Sequence, residues 1–244
     1  PANPVTLSVE TLNPDQANPS IGSLRSSDQR YALPSFIAIE GPIGVGKTTL
    51  ARRLAETLDY PLMLEPVEEN PFLDRFYTEG ASQALPTQLF FLLHRARQLA
   101  DMPSGGLLEQ NLVADFLMEK DELFAKLTLD AEEFALYQQI QNSLKLNPPT
   151  PDLVIYLQAP TDVLLRRIHQ RGLQSELQID ADYLISLSES YTEFFHYYDD
   201  APLLIVNATE IDFAHNDLHF DQLLEQIFQM EGSRQFFNPN PTLI

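Results

Sequence analysis

The stretch FIAIEGPIGVGKTTL, residues 36–50, constrains the fold more than any other part of the chain. Residues 36–40 are a short apolar run closed by a glutamate, which predicts a buried strand of a parallel sheet. Gly41, Pro42, Ile43, Gly44, Val45, Gly46, Lys47 and Thr48 then match the pattern G-x-x-x-x-G-K-[ST], with Thr49 directly behind. Glycines let successive backbone amides turn inward, and a helix starting near Lys47 aims its positive end at the same point. An anion site results. In such loops the lysine reaches the β- and γ-phosphates of ATP and the hydroxyl holds Mg²⁺, so Lys47 and Thr48 are expected in those roles. A glycine-rich turn with no ligand is the plainer alternative. It is opposed by the order in which strand, loop, lysine, threonine and amphipathic helix occur.

Downstream, strand-like and helix-like segments alternate, which predicts an α/β fold: a doubly wound parallel sheet flanked by helices. Five strands are expected, at residues 35–40, 61–64, 111–114, 152–157 and 203–206. Helices are expected at 47–58, 72–77, 87–101, 118–126, 131–146, 161–170, 181–198 and 217–230. Residues 1–34 are rich in Pro, Asn and Ser and read as a mobile tail or linker; a second tail is expected over 232–244, leaving 35–231 as one domain. With 244 residues and 44% hydrophobic content the chain can build a sizeable core. It has no cysteine, so disulfides and thiolate metal sites are excluded. A net charge of −20 argues against a nucleic-acid surface. No transmembrane-length apolar run or signal segment is evident, and the cytoplasm is the expected compartment.

Ligands of such sheets gather at the carboxyl ends of the strands. Glu65-Pro66 follows the second expected strand, so Glu65 falls beside the phosphate loop, where it can take the proton of a substrate hydroxyl or stand as a solvated loop carboxylate. Gln88 and Arg95 lie on a helix otherwise made of Leu89, Phe90, Leu92 and Leu93. An inward Gln or Arg there needs partners, either within the domain or on a bound nucleobase. Three arginines fall within six residues at 166–171, unusual in so acidic a chain. Asp115 ends the third expected strand and can ligate Mg²⁺ or cap the following helix.

At EPVEENPFLDRFY, residues 65–77, the chain, taken with its phosphate loop, resembles the deoxynucleoside kinase family, especially its bacterial deoxyadenosine/deoxyguanosine kinase-like branch. The resemblance implies a phosphate-loop kinase with a short arginine-bearing lid. By it, Glu65 is the general base, Tyr77 and Glu176 bind the sugar 3′-hydroxyl, and Gln88 and Arg95 meet the base. Arg167 and Arg171 match lid arginines that close over the phosphates, while Leu173 stands where the family has a third. Asp212 and Phe213 match the loop lining the donor adenine. Lys120 occupies the position at which pyrimidine-active relatives carry an aspartate; it cannot accept a hydrogen bond, and is expected to turn toward Asp115 or Glu119. Purine deoxynucleosides are the expected substrates. The family also implies a homodimer through the helices at 87–101 and 131–146.

The expected activity is therefore ATP-dependent, Mg²⁺-assisted 5′-phosphorylation of a deoxynucleoside. Two alternatives stand beside it. A nucleoside monophosphate kinase such as thymidylate kinase would need a cationic acceptor-phosphate site, which Glu65, Glu68 and Glu69 oppose. The other is a non-catalytic module that senses ATP.

Overall fold

The structure is a computed structural model describing residues 33–101, 111–174, 176–214 and 216–239. The tail expected over 1–34 lies outside these residues except at 33 and 34.

Strand β1 (Phe36–Glu40) is central in a six-stranded, all-parallel sheet with β2 (Leu62–Met63), β3 (Leu112–Ala114), β4 (Leu153–Gln158), β5 (Leu203–Asn207) and β6 (Arg234–Phe237), ordered β2-β3-β1-β4-β5-β6. The strands β1, β3 and β4 are almost wholly buried, as apolar runs covered on both faces must be. Because β1 lies between β3 and β4, where the chain passes from one half of the sheet to the other, a crevice opens at its carboxyl end.

The sixth strand corrects the five-strand expectation, and it falls inside the supposed tail at 232–244. Its residues RQFF carry no buried apolar run; pairing with β5 makes them a strand. Phe237 packs on the core while Phe236 points outward.

Helix α1 (Lys47–Leu58) buries Leu50, Ala51, Leu54 and Ala55, one helical stripe, and ends at Asp59 in left-handed backbone (φ 58°). The helices α2 (Leu73–Glu79) and α3 (Ala84–Ala100) follow. Pro86 sits in the first turn of α3, where its missing N–H costs nothing. Next come α4 (Lys120–Thr128) and α5 (Ala131–Leu144); Asp130 and Glu133 form a reciprocal capping box that starts α5. The remaining helices are α6 (Thr161–Arg171), α7 (Ala181–Tyr197) and α8 (Asp217–Phe228). The helix α4 begins two residues later than expected, and its N-cap is Glu119, which removes the capping alternative for Asp115.

Candidate active site

The phosphate loop is pressed between the sheet and α6. A Cβ on Gly41 would lie 2.4 Å from the Leu157 carbonyl oxygen, and one on Gly44, whose φ is +82°, 2.9 Å from that of Leu164. Neither position admits a side chain without displacing backbone. Lys47 Nζ donates to the carbonyls of Gly41 (2.7 Å) and Pro42 (3.2 Å), folding over its own loop. Burial and the nearby Lys120 ammonium lower its pKa.

Asp115, just past β3, joins the loop helix to the E-P segment. One carboxylate oxygen accepts from the Thr48 hydroxyl (2.6 Å) and the other from the Glu65 backbone N–H (2.7 Å). Its pKa is raised, chiefly by burial, with Glu65 adding to the shift. The Glu65 carboxylate is 12% exposed and accepts from Lys120 Nζ (2.8 Å) and from Arg95. Burial alone would raise its pKa; the Lys120 and Arg95 charges outweigh burial and hold it at about 2. Upstream, Gln98 Nε2 donates to the Leu64 carbonyl (3.3 Å), fixing the backbone that presents Glu65.

Two expectations about Lys120 are corrected here. It turns to Glu65 and to Glu40 (3.4 Å), not to Asp115 or Glu119; Glu65 and Glu40 are buried carboxylates that need a countercharge, whereas buried Asp115 already accepts from Thr48 and the Glu65 N–H, and Glu119 is only half-buried. Nor is Arg95 without an aspartate. Asp121, the next residue along, pairs with its guanidinium, so Arg95 lies between Asp121 and Glu65. The first turn of α4 puts 120 and 121 on diverging directions, and a one-residue offset in the sequence comparison changes which of them meets Arg95.

Lys47, Thr48, Glu65, Arg95, Asp115, Lys120 and Asp121 line one cavity of about 590 Å³. Gln88 and Arg95, two turns apart on α3, form its inner wall, both almost fully buried; Gln88 Nε2 reaches the Thr128 hydroxyl at 3.4 Å. Tyr77, from α2, and Tyr183, from α7, also line the cavity. Burial pushes both phenols up, so they remain neutral donors. At the rim, Arg171 ends α6 and pairs with Glu176, itself 5% exposed, across the turn made by Gly172. Leu173 and Thr49 also line the cavity.

Arg167 is not among the lining residues. Its guanidinium donates to the carbonyls of Val45 (3.3 Å), Ala208 (2.8 Å), Thr209 (3.4 Å) and Ile211 (3.0 Å), stitching the phosphate loop to the segment after β5. That segment is held from its other side by Arg53, whose Nη1 donates to the Phe213 carbonyl (2.6 Å) and whose guanidinium lies 4.1 Å over the Phe220 ring. The Phe213 side chain is buried in the core, and Asp212 caps its own turn by accepting from Ala214 N–H (2.9 Å). Both stay outside the cavity wall. Sequence reasoning missed Asp121, Tyr183 and Glu40. The signal for Asp121 was its place next to Lys120, and for Glu40 the charge ending an otherwise apolar strand.

Thr48 and Asp115 offer two hard oxygens side by side at the loop. Among the described residues no cluster of three or more His, Cys, Asp or Glu is placed to hold a metal. One hydroxyl and one carboxylate suit Mg²⁺ shared with substrate phosphates.

A glycine-rich loop at the end of a parallel strand, its lysine and threonine, and a carboxylate across an enclosed cavity together define a phosphate-loop phosphotransferase. Which one is given by comparison. The sequence profile of the deoxynucleoside kinase family matches residues 37–230, and the chain belongs to that family. It is 35% identical over 200 residues to a deoxyguanosine kinase of Bacillus subtilis (strain 168), covering 80% of this chain and 97% of the relative. A deoxyadenosine/deoxycytidine kinase of the same organism is 27% identical over 202 residues, covering 79% and 91%. Among solved structures, a deoxyadenosine kinase from M. mycoides with bound dCTP matches with a TM-score of 0.69 at 28% identity, over 80% of this chain and all (100%) of that one. The chain is thus a kinase of deoxynucleosides. The monophosphate-kinase and ATP-sensing alternatives are not favoured. Among the described residues no helix is long and apolar enough to cross a membrane.

Proposed function

We propose that this enzyme transfers the γ-phosphoryl group of ATP to the 5′-hydroxyl of purine deoxynucleosides. The observation that carries the reading is that Asp115 ties Thr48 to Glu65 at one cavity, which Lys47, Gln88 and Arg95 also line. Glu65 accepts the hydrogen bond of the 5′-hydroxyl and then its proton; Lys47 and Arg171 meet the charge of the transferred group. Tyr77 and Glu176 orient the sugar. Arg167 and Arg53 hold the segment at 208–213, and through it the donor base. Mg²⁺ held by Thr48 and Asp115 would neutralise charge on the phosphates. The exposed Leu93 on α3 and Leu136 on α5 support pairing of two chains through those helices.

The purine preference is supported by the names of the relatives, with the deoxyguanosine kinase at 35% identity against 27% for the deoxyadenosine/deoxycytidine kinase. A second reading has its own support. Asp121 beside Arg95 is the carboxylate expected of pyrimidine-active relatives, so deoxycytidine is also a candidate. Measuring kcat/KM for the four common deoxynucleosides under one condition decides between them. Purines ahead of both pyrimidines by about tenfold, about 1.4 kcal/mol of transition-state binding, support the first reading. Deoxycytidine level with the purines favours the second, and no transfer to any of them refutes both.

A further inference from the structure

Glu40, the last residue of β1, is completely buried and belongs to no step above. Burying an ionised carboxylate is costly unless it is fully hydrogen-bonded and paired. Here both oxygens are served. One accepts from Leu117 N–H (2.9 Å), the other from Gly41 N–H (2.9 Å) and the Tyr191 hydroxyl (2.8 Å). The ammonium of Lys120 completes the set at 3.4 Å, and the same ammonium donates to Glu65 at 2.8 Å.

Lys120 is therefore suspended between two carboxylates, one that touches the reacting hydroxyl and one that does not. Lysine is a flexible point charge, and its ammonium stands where its counter-ions hold it. Glu40 cannot move: it sits in the central strand, and its three neutral donors come from the phosphate loop, the β3–α4 connection and α7. A salt bridge kept for stability alone would be weakly justified, since well-packed apolar residues do as well.

We propose that Glu40 is a positioning residue for phosphoryl transfer, acting through Lys120. By anchoring the ammonium from behind, it fixes where Lys120 meets Glu65, and so holds the Glu65 oxygens in line with the 5′-hydroxyl. In Glu40→Gln the charge is gone and one oxygen becomes an amide NH₂, which faces either Leu117 N–H and Lys120 or Gly41 N–H and the Tyr191 hydroxyl. Lys120 then has at most a neutral oxygen as its rear anchor.

The inference rests on the assignment of Glu65 to the acceptor hydroxyl, and the experiment separates the two. Steady-state constants for ATP and the preferred deoxynucleoside are measured for parent, Glu40→Gln, Tyr191→Phe, Lys120→Met and the doubles with Lys120→Met. Glu40→Gln is expected to lower kcat about tenfold or more with both KM values within about twofold, as misplacement of a reacting group does. Tyr191→Phe, which only loosens Glu40, shifts kcat in the same direction by a smaller factor. On the Lys120→Met background neither change lowers kcat by more than about twofold, because its route of action is gone. Equal losses on both backgrounds, or a rise in KM with kcat intact, overturn the inference. Should Glu40→Gln fail to fold, Tyr191→Phe carries the same cycle, and an unchanged kcat in that variant overturns it as well. A parent inactive on every deoxynucleoside sinks the functional assignment instead.

Discussion

Replacing Glu65 by glutamine removes a charge from the middle of the site while keeping its shape. In the parent the carboxylate accepts from Arg95 and from Lys120 at 2.8 Å, so two charge-assisted contacts are weakened. Such hydrogen bonds contribute about 1.5–3 kcal/mol each, but a neutral amide oxygen retains part of that. Neither cation is stranded, since Arg95 keeps Asp121 and Lys120 keeps Glu40 at 3.4 Å. A net destabilisation of about 2 kcal/mol is therefore expected, small enough to leave the protein folded at neutral pH. Activity should respond far more: without an acceptor for the hydroxyl proton, kcat should drop by about 10²-fold or more, with a small effect on ATP affinity.

The stability loss has a definite pH dependence. Glu65 titrates at about 2 in the folded protein, below the ordinary carboxylate range, so its contribution is fully present above the unfolded-state pKa and is lost as pH falls through the folded one. The gap between parent and Glu65→Gln in urea unfolding should be constant from about pH 8 to 5 and close progressively below about pH 4. A gap that stays the same at about pH 3, or a kcat within threefold of the parent, refutes the placement of Glu65 between two cations and its role as base.

Lys47→Ala should abolish transfer yet fold nearly normally, since its ammonium binds only its own loop; ATP should raise the melting temperature of the parent and not of the variant, and equal protection would remove Lys47 from phosphate contact. Glu176→Ala deletes a buried carboxylate beside Arg171 and should shrink the preference for 2′-deoxy over 2′,3′-dideoxy substrates by about tenfold; an unchanged ratio would exclude it from the sugar site. Arg167→Lys cannot span the four carbonyls that Arg167 reaches, so KM for ATP should rise several-fold with kcat at saturation largely kept. A fall in kcat alone would mean that Arg167 meets the transferred phosphoryl group.

The local parts of this protein were legible in its sequence. A phosphate loop is a contiguous motif whose glycines, lysine and threonine have fixed offsets, and β1, α1 and the loop between them form where the pattern puts them. The five strands carrying apolar runs and the stripe-bearing helices follow from periodicity, with ends displaced by one to three residues. Gln88 and Arg95 stood out because a polar side chain in an apolar setting implies a partner, and Glu65 because it follows an expected strand beside the phosphate loop. The identity of that partner was beyond sequence. Whether 120 or 121 meets Arg95 depends on where α4 starts and how it rotates against α3, and the packing of the two helices gave Asp121 to Arg95 and Lys120 to Glu65. Strand β6 exists because β5 offers an edge, not because RQFF demands it. By resemblance Arg167 matched a lid arginine that closes over the phosphates, and tertiary structure gave it four carbonyls as partners. Motifs record what a segment does with its own backbone. The partner of a charge is set by distances across the fold between residues far apart in the chain, and a Coulomb interaction in a poorly screened interior turns on differences of an ångström or two in them.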